Sequence, residues 1–252
     1  MTNKLRYFIG NWKMFGDFGS FKIVNKINQF CHKYKKINKI KIVLCVPNTL
    51  IHFFKGKLKS QSIKLGVQNC HFHEGYGPFT GSVNASMQKR AGAEFLILGH
   101  SENRFEGETN KLIKKKIKSA LNQKLNIIFC IGETQKEKNN GKTFAVLKKQ
   151  IYQTLEKKFN TNKIILAYEP VWSIGTNKIP KIYELNKIIK FIKKELRKTF
   201  NKKISYKVLY GGSVNPKNIH LFSSIPQIDG FLIGGASQSS KKFIDIIKNY
   251  YK

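Results

Sequence analysis

The sequence predicts a single-domain α/β fold, a closed (β/α)8 barrel, and three observations point to it. Eight short runs rich in β-branched and aromatic residues recur along the chain, segments with helical periodicity separate them, and the runs are apolar throughout rather than alternating. Continuous apolarity suits parallel strands covered on both faces. Eight strand–helix units in 252 residues come to about 31 residues each, the size of a βα repeat. No linker, low-complexity tract or shift in composition divides the chain, so residues 1–252 read as one domain. Two doubly wound halves are the alternative; the unbroken series of eight units favours closure.

The first run, Tyr7–Trp12, leads through Gly10-Asn11-Trp12 to Lys13, and strand alternation turns Asn11 and Lys13 to the same side. A lysine just past a strand is most often solvated; inside a barrel mouth it sets an ammonium beside an amide. Ile40–Val46 and Ile63–Gln68 follow. The fourth run, Phe95–Leu98, ends in Gly99-His100-Ser101-Glu102, where His100 is either structural or catalytic. A helical segment at Leu112–Leu121 precedes the fifth run, Asn126–Ile131, and another at Thr143–Phe159 precedes the sixth, Ile164–Tyr168. The sixth run passes into Glu169-Pro170. A carboxylate just before a proline that stops the strand points into the mouth, and a surface ion pair is an equal alternative for Glu169 taken alone. After the helical segment Ile182–Phe200 come Tyr206–Tyr210 and Ile228–Ile233. Glycine pairs close both, Gly211-Gly212-Ser213 and Gly234-Gly235-Ala236-Ser237. Glycines let backbone N–H groups approach an anion closely, and phosphate sites after strands seven and eight recur among barrels. A tight turn would explain either pair alone; two in this place favour a phosphate.

Composition narrows the function. The formal charge is +33, but 43 of the 47 cations are Lys and only four are Arg. Readers of bases and phosphates lean on the bidentate Arg fork, and these lysines scatter along the whole chain as solvated faces do. The charge therefore implies no specific nucleic acid, while a positive field speeds capture of small anions. A nucleic-acid binder on the same barrel is the competing reading, and steep salt dependence would mark it. Apolar runs are too short for a membrane span, so no membrane partner is expected. The N-terminus is too short and polar for a secretory leader. Cys31, Cys45, Cys70 and Cys130 show no C-x-x-C spacing, which suggests free thiols in a reducing, cytoplasmic setting. One base, one imidazole, one cation and a phosphate cradle, with no metal cluster or dinucleotide fingerprint, suit moving a proton beside a carbonyl in a small phosphorylated molecule. Neither metal nor organic cofactor is expected.

Seven signatures in order, from Asn11-Trp12-Lys13 through Gly99-His100-Ser101-Glu102, Cys130-Ile131-Gly132-Glu133, Ala167-Tyr168-Glu169-Pro170-Val171-Trp172, Ile174-Gly175-Thr176 and Tyr210-Gly211-Gly212-Ser213-Val214-Asn215 to Gly234-Gly235-Ala236-Ser237, resemble the triosephosphate isomerase family. They span residues 11–237. The resemblance implies a TIM barrel that interconverts dihydroxyacetone phosphate and D-glyceraldehyde 3-phosphate through an enediolate. It implies Glu169 as the base, a neutral His100 as the electrophile, and Lys13 as electrostatic stabiliser with Asn11 beside it. Glu102 would orient Lys13. The lid would run from Pro170 through Val171, Trp172, Ser173, Ile174, Gly175 and Thr176 to a second hinge at Lys178-Ile179-Pro180. Backbone at Gly175, Ser213, Gly234 and Gly235 would hold the phosphate. The family's usual state implies a homodimer in which Thr80 reaches the partner's site.

The chain departs from the family pattern at a few places. Ser82 stands where most relatives carry Glu, and Asn103 where most carry the first of two Arg. These two changes, towards the expected interface, are read as compensating. The segment from His100 to Glu108 is one residue short. Pro180 stiffens the second hinge, and Ser173 replaces a usual Ala, read as a mild change. A barrel isomerase for a larger sugar is the nearest rival, and the Asn-x-Lys, His and Glu set argues against it.

Overall fold

Eight parallel strands close on themselves: β1 (Arg6–Asn11), β2 (Ile40–Val46), β3 (Ile63–Gln68), β4 (Phe95–Leu98), β5 (Asn126–Ile131), β6 (Ile164–Tyr168), β7 (Lys207–Tyr210) and β8 (Gly230–Ile233). Each pairs with the next, and β8 returns to β1 through Tyr7↔Gly230 to Gly10↔Ile233. This computed structural model describes residues 5–59, 62–200 and 204–252. The closed barrel predicted from the sequence is present, and the strand limits differ from the predicted runs by two residues at most.

Helices α1 (Phe21–Lys33), α2 (Asn48–Lys57), α3 (Ala85–Arg90), α4 (Ser101–Phe105), α5 (Asn110–Asn122), α6 (Gln135–Asn139), α7 (Thr143–Thr154), α8 (Ile182–Thr199) and α9 (Ser240–Tyr250) join the strands. The predicted helix at Thr143–Phe159 stops early. Leu155 turns to extended backbone (φ −94°, ψ 141°), yet Leu155 and Phe159 both remain buried. The apolar period runs on past Thr154 because these two side chains still face the core, while the backbone has already left the helix.

Strand phase explains why the runs are apolar throughout. Val43 and Cys45, Ile128 and Cys130, Ile165 and Ala167 fill the inside of the barrel. Their neighbours Leu44, Phe129 and Leu166 pack outward, in the core shared with the helices. With both faces buried, no position in mid-strand can be polar without a partner. At the C-terminal ends the inward phase falls on Asn11, the last residue of β1, and, just past the other strands, on Gly132, Glu169, Gly211 and Gly234. Polar groups and glycines thus replace the apolar filling at the C-terminal mouth, where active sites of this architecture lie.

Candidate active site

Glu169 continues the inward phase of β6, and its N–H donates to the Ile131 carbonyl at 2.8 Å, so the sheet ladder carries the side chain into the mouth. Two glycines make room for it. A Cβ on Gly132 would lie 1.8 Å from the Glu169 carbonyl oxygen, and one on Gly211 would lie 2.7 Å from Glu169 Cγ. The side chain is 3% exposed, and its Oε2 has no hydrogen-bond partner. Burial pushes the Glu169 carboxyl above its ordinary range, opposed by His100, the Cys130 thiol and Lys13. A carboxylate held dry and only partly paired is a stronger base than one in water.

His100 caps α4, and its Nδ1 accepts the Glu102 N–H at 3.2 Å. That bond keeps the lone pair on Nδ1 and leaves the ring N–H on Nε2, which faces Glu169 Oε1 at 3.4 Å. A Glu102 oxygen also stands 3.5 Å from Nδ1, but the carboxylate is engaged elsewhere. Its Oε1 is 2.5 Å from Lys13 Nζ.

Lys13 reaches the site by a route other than the predicted one. β1 ends at Asn11, and Lys13 adopts left-handed backbone at φ 56°. The Lys13 N–H then donates to Asn11 Oδ1 at 3.1 Å. Amide and ammonium do share one side, but a turn, not strand alternation, puts them there. Left-handed backbone at a non-glycine residue costs about 1 kcal/mol, a strain typical of functional sites.

Asn11, Lys13, His100 and Glu169 line one cavity of about 230 Å³, with Gly175, Ser213, Gly234 and Gly235 across from them. Asn177, inside the segment read as the lid, and Ala236, inside the second glycine signature, also line it without having been given a role, as does Leu232. Thr80 is exposed and outside it. Among the described residues, no group of three His, Cys, Asp or Glu could hold a metal ion.

The segment read as a lid begins with a short turn at Val171–Ser173. Trp172 Nε1 donates to Glu133 Oε1 at 2.9 Å, the Tyr168 hydroxyl donates to the same carboxylate at 3.1 Å, and Lys138 Nζ lies 3.5 Å from the Trp172 ring centre. Burial raises the Glu133 carboxyl, offset by these donors. Sequence reasoning gave Glu133 no role, although a carboxylate just past β5 was a visible signal. Ser173, read as a mild change, has a fully buried side chain whose hydroxyl takes part in three hydrogen bonds. After His100, in the segment read as one residue short, α4 has five residues. Arg104 there turns inward onto the Gly99 and Cys130 carbonyls, and Glu108 still pairs with Lys116.

A buried carboxylate, an imidazole and an ammonium around a small glycine-walled cavity define a (β/α)8 barrel enzyme that moves protons on a small anionic substrate. A family model described as triosephosphate isomerase matches residues 6–250. The triosephosphate isomerase of Dictyoglomus thermophilum is 41% identical over 244 residues, covering 95% of this chain and 97% of its own. That of Alkaliphilus metalliredigens is 38% identical over 246 residues, covering 94% and 96%. A crystal structure of triosephosphate isomerase from Bartonella henselae superposes with a TM-score of 0.89 at 34% identity, covering 98% of this chain and 99% of that one. The chain belongs to the triosephosphate isomerase family and is an isomerase.

Proposed function

We propose that this enzyme interconverts dihydroxyacetone phosphate and D-glyceraldehyde 3-phosphate within one domain spanning residues 1–252, and that Glu169, His100 and Lys13 carry the chemistry. The observation that supports it most is the meeting of these three residues, from β6, β4 and β1, around one cavity. Glu169 takes the carbon-bound proton and returns it to the neighbouring carbon. The His100 Nε2–H donates to the carbonyl oxygen as it gains charge, and can protonate one oxygen of the enediolate while accepting from the other. Lys13, aimed by Glu102, balances the charge of phosphate and enediolate, with the Asn11 amide beside it. Backbone N–H groups of Gly175, Ser213, Gly234 and Gly235 hold the phosphate. Closure of the lid keeps water from the enediolate, which otherwise expels phosphate. The deciding experiment is a coupled assay with glyceraldehyde 3-phosphate, run on the wild type and on Glu169→Gln. Turnover by the wild type that survives the substitution undamaged overturns the assignment.

We further place the enzyme in the cytoplasm as a homodimer acting in glycolysis and gluconeogenesis. All four cysteines are free and buried, as thiols in a reducing compartment are. Among the described residues no helix is long and apolar enough to cross a membrane. Met14 and Phe18 after β1, Tyr76 on the segment that carries Thr80, and Phe105 at the end of α4 are strongly exposed, the apolar surface a second copy would cover. Ser82 is exposed and Asn103 partly so. If they replaced a charged pair, Ser82→Glu with Asn103→Arg dimerises like the wild type, while either alone weakens the dimer. Analytical ultracentrifugation across a dilution series measures this, and two single effects that simply add refute the coupling.

A further inference from the structure

Ser173 stands four residues after the base, with none of its side chain in contact with solvent. A hydroxyl has one hydrogen to give and two lone pairs to fill, and this one uses all three. Ser173 Oγ donates to the Lys178 carbonyl at 2.6 Å, which ties the two ends of the lid together. Its lone pairs face the Ser213 N–H at 3.2 Å and the Tyr210 hydroxyl at 3.1 Å. Since the serine hydrogen is spent on Lys178, Tyr210 is the donor of that pair. Gly212 completes the arrangement: a Cβ there would lie 2.3 Å from the Tyr210 hydroxyl oxygen and 2.6 Å from Ser173 Oγ. The loop after β7 thus omits a side chain where the lid's hydroxyl docks.

We infer that Ser173 is a positioning residue that competes with the substrate's phosphate for the Ser213 N–H, so that the arriving anion breaks the lid's tie to the β7 loop. This rests on the reading of Ser213 as a phosphate donor given above. With the site empty, the N–H is satisfied by a neutral oxygen. A phosphate oxygen is charged and makes a hydrogen bond roughly twice as strong, so it takes the donor. Ser173 keeps Tyr210 and Lys178, and the first turn of the lid gives up only its tie to the Ser213 N–H. One N–H with two alternative acceptors couples phosphate occupancy to lid position, and the coupling equals the difference in affinity between the two states.

The test is the affinity of the whole protein for inorganic phosphate, by titration calorimetry, with Trp172 fluorescence following the lid. Ser173→Ala removes the competitor and tightens phosphate binding about fivefold, the worth of one neutral hydrogen bond. The gain falls on KM for glyceraldehyde 3-phosphate and not on kcat, a split that a packing defect does not give. Tyr210→Phe leaves the competitor in place and gives no gain. Ser173→Ala strands a buried tyrosine hydroxyl, so the double variant Ser173→Ala, Tyr210→Phe provides a folded control and shows the same fivefold gain. Equal or weaker phosphate binding by both Ser173 variants overturns the inference. Phosphate that binds neither wild type nor variant overturns the reading of the cradle, and this inference with it.

Discussion

Glu169→Asp lowers kcat by at least about a hundredfold while KM stays within a few-fold of the wild type. The shorter side chain withdraws the carboxylate by about 1 Å, and an error of that size at a reacting centre costs on the order of 10²-fold. Glu169→Gln, which cannot take a proton, loses more, towards the roughly 10⁴-fold upper range for a general base. Steady-state kinetics separate the two constants, and an equal loss in binding and turnover counts against the role. The same residue sets a pH dependence. Burial holds the Glu169 carboxyl of the free enzyme above its ordinary range, so the acid limb of the kcat/KM profile lies above the pH where exposed carboxylates titrate. For a carboxylate whose folded pKa is raised, the associated stability is complete below the unfolded pKa and is lost as pH rises through the folded value. Above that folded value the ionised Glu169, with Oε2 unpartnered, therefore weighs against the fold. Glu169→Gln raises the melting temperature at pH 7, and the gain shrinks as the pH falls from the raised folded value into the usual carboxylate range. A melting temperature lowered at pH 7 would contradict this account of the base.

Lys13→Met reduces kcat/KM for glyceraldehyde 3-phosphate by roughly 10²- to 10³-fold, the range found when one preorganised donor to a developing oxyanion is lost. Methionine keeps much of the length and removes the charge. The fold tolerates the change for two reasons. The turn at residue 13 is strained for lysine and methionine alike. Its partner Glu102 has a side chain 55% exposed, so water takes over the carboxylate at little cost. Thermal melts and kinetics on one preparation check both halves. A variant that keeps its kcat/KM removes Lys13 from the mechanism, and one that unfolds shows the residue to be structural.

Much of this molecule was legible in the chain. The eight strands showed as apolar runs because burial on both faces forbids polar residues in mid-strand. Asn11 and Glu169 could be picked out as polar residues in the inward phase at the end of β1 and just beyond β6. The glycine pairs after β7 and β8 marked a place where backbone comes close to a ligand. Other features left no such trace. Nothing local to Asn11-Trp12-Lys13 announces a left-handed turn at Lys13. The Thr143–Phe159 period could not tell a helix from two anchored side chains beyond its end. Ser173 read as a mild swap because its three partners are Lys178, Tyr210 and Ser213, and the last two lie at the end of β7 and in the loop after it.

The order of residues alone determined which chemical groups the protein owns and on which face of each strand they fall. Side-chain alternation, helical period and the conformational habits of glycine and proline act over a few neighbours and need no fold to be read. Only the tertiary structure decided which groups meet. Closure of β8 onto β1 brings Ser237 Oγ to 3.5 Å from the Asn11 carbonyl oxygen across 226 positions. The same barrel sets His100 Nε2 3.4 Å from Glu169 Oε1. Distances of this kind follow from the closed ring of strands and the packing beneath the loops, which no short stretch of chain contains.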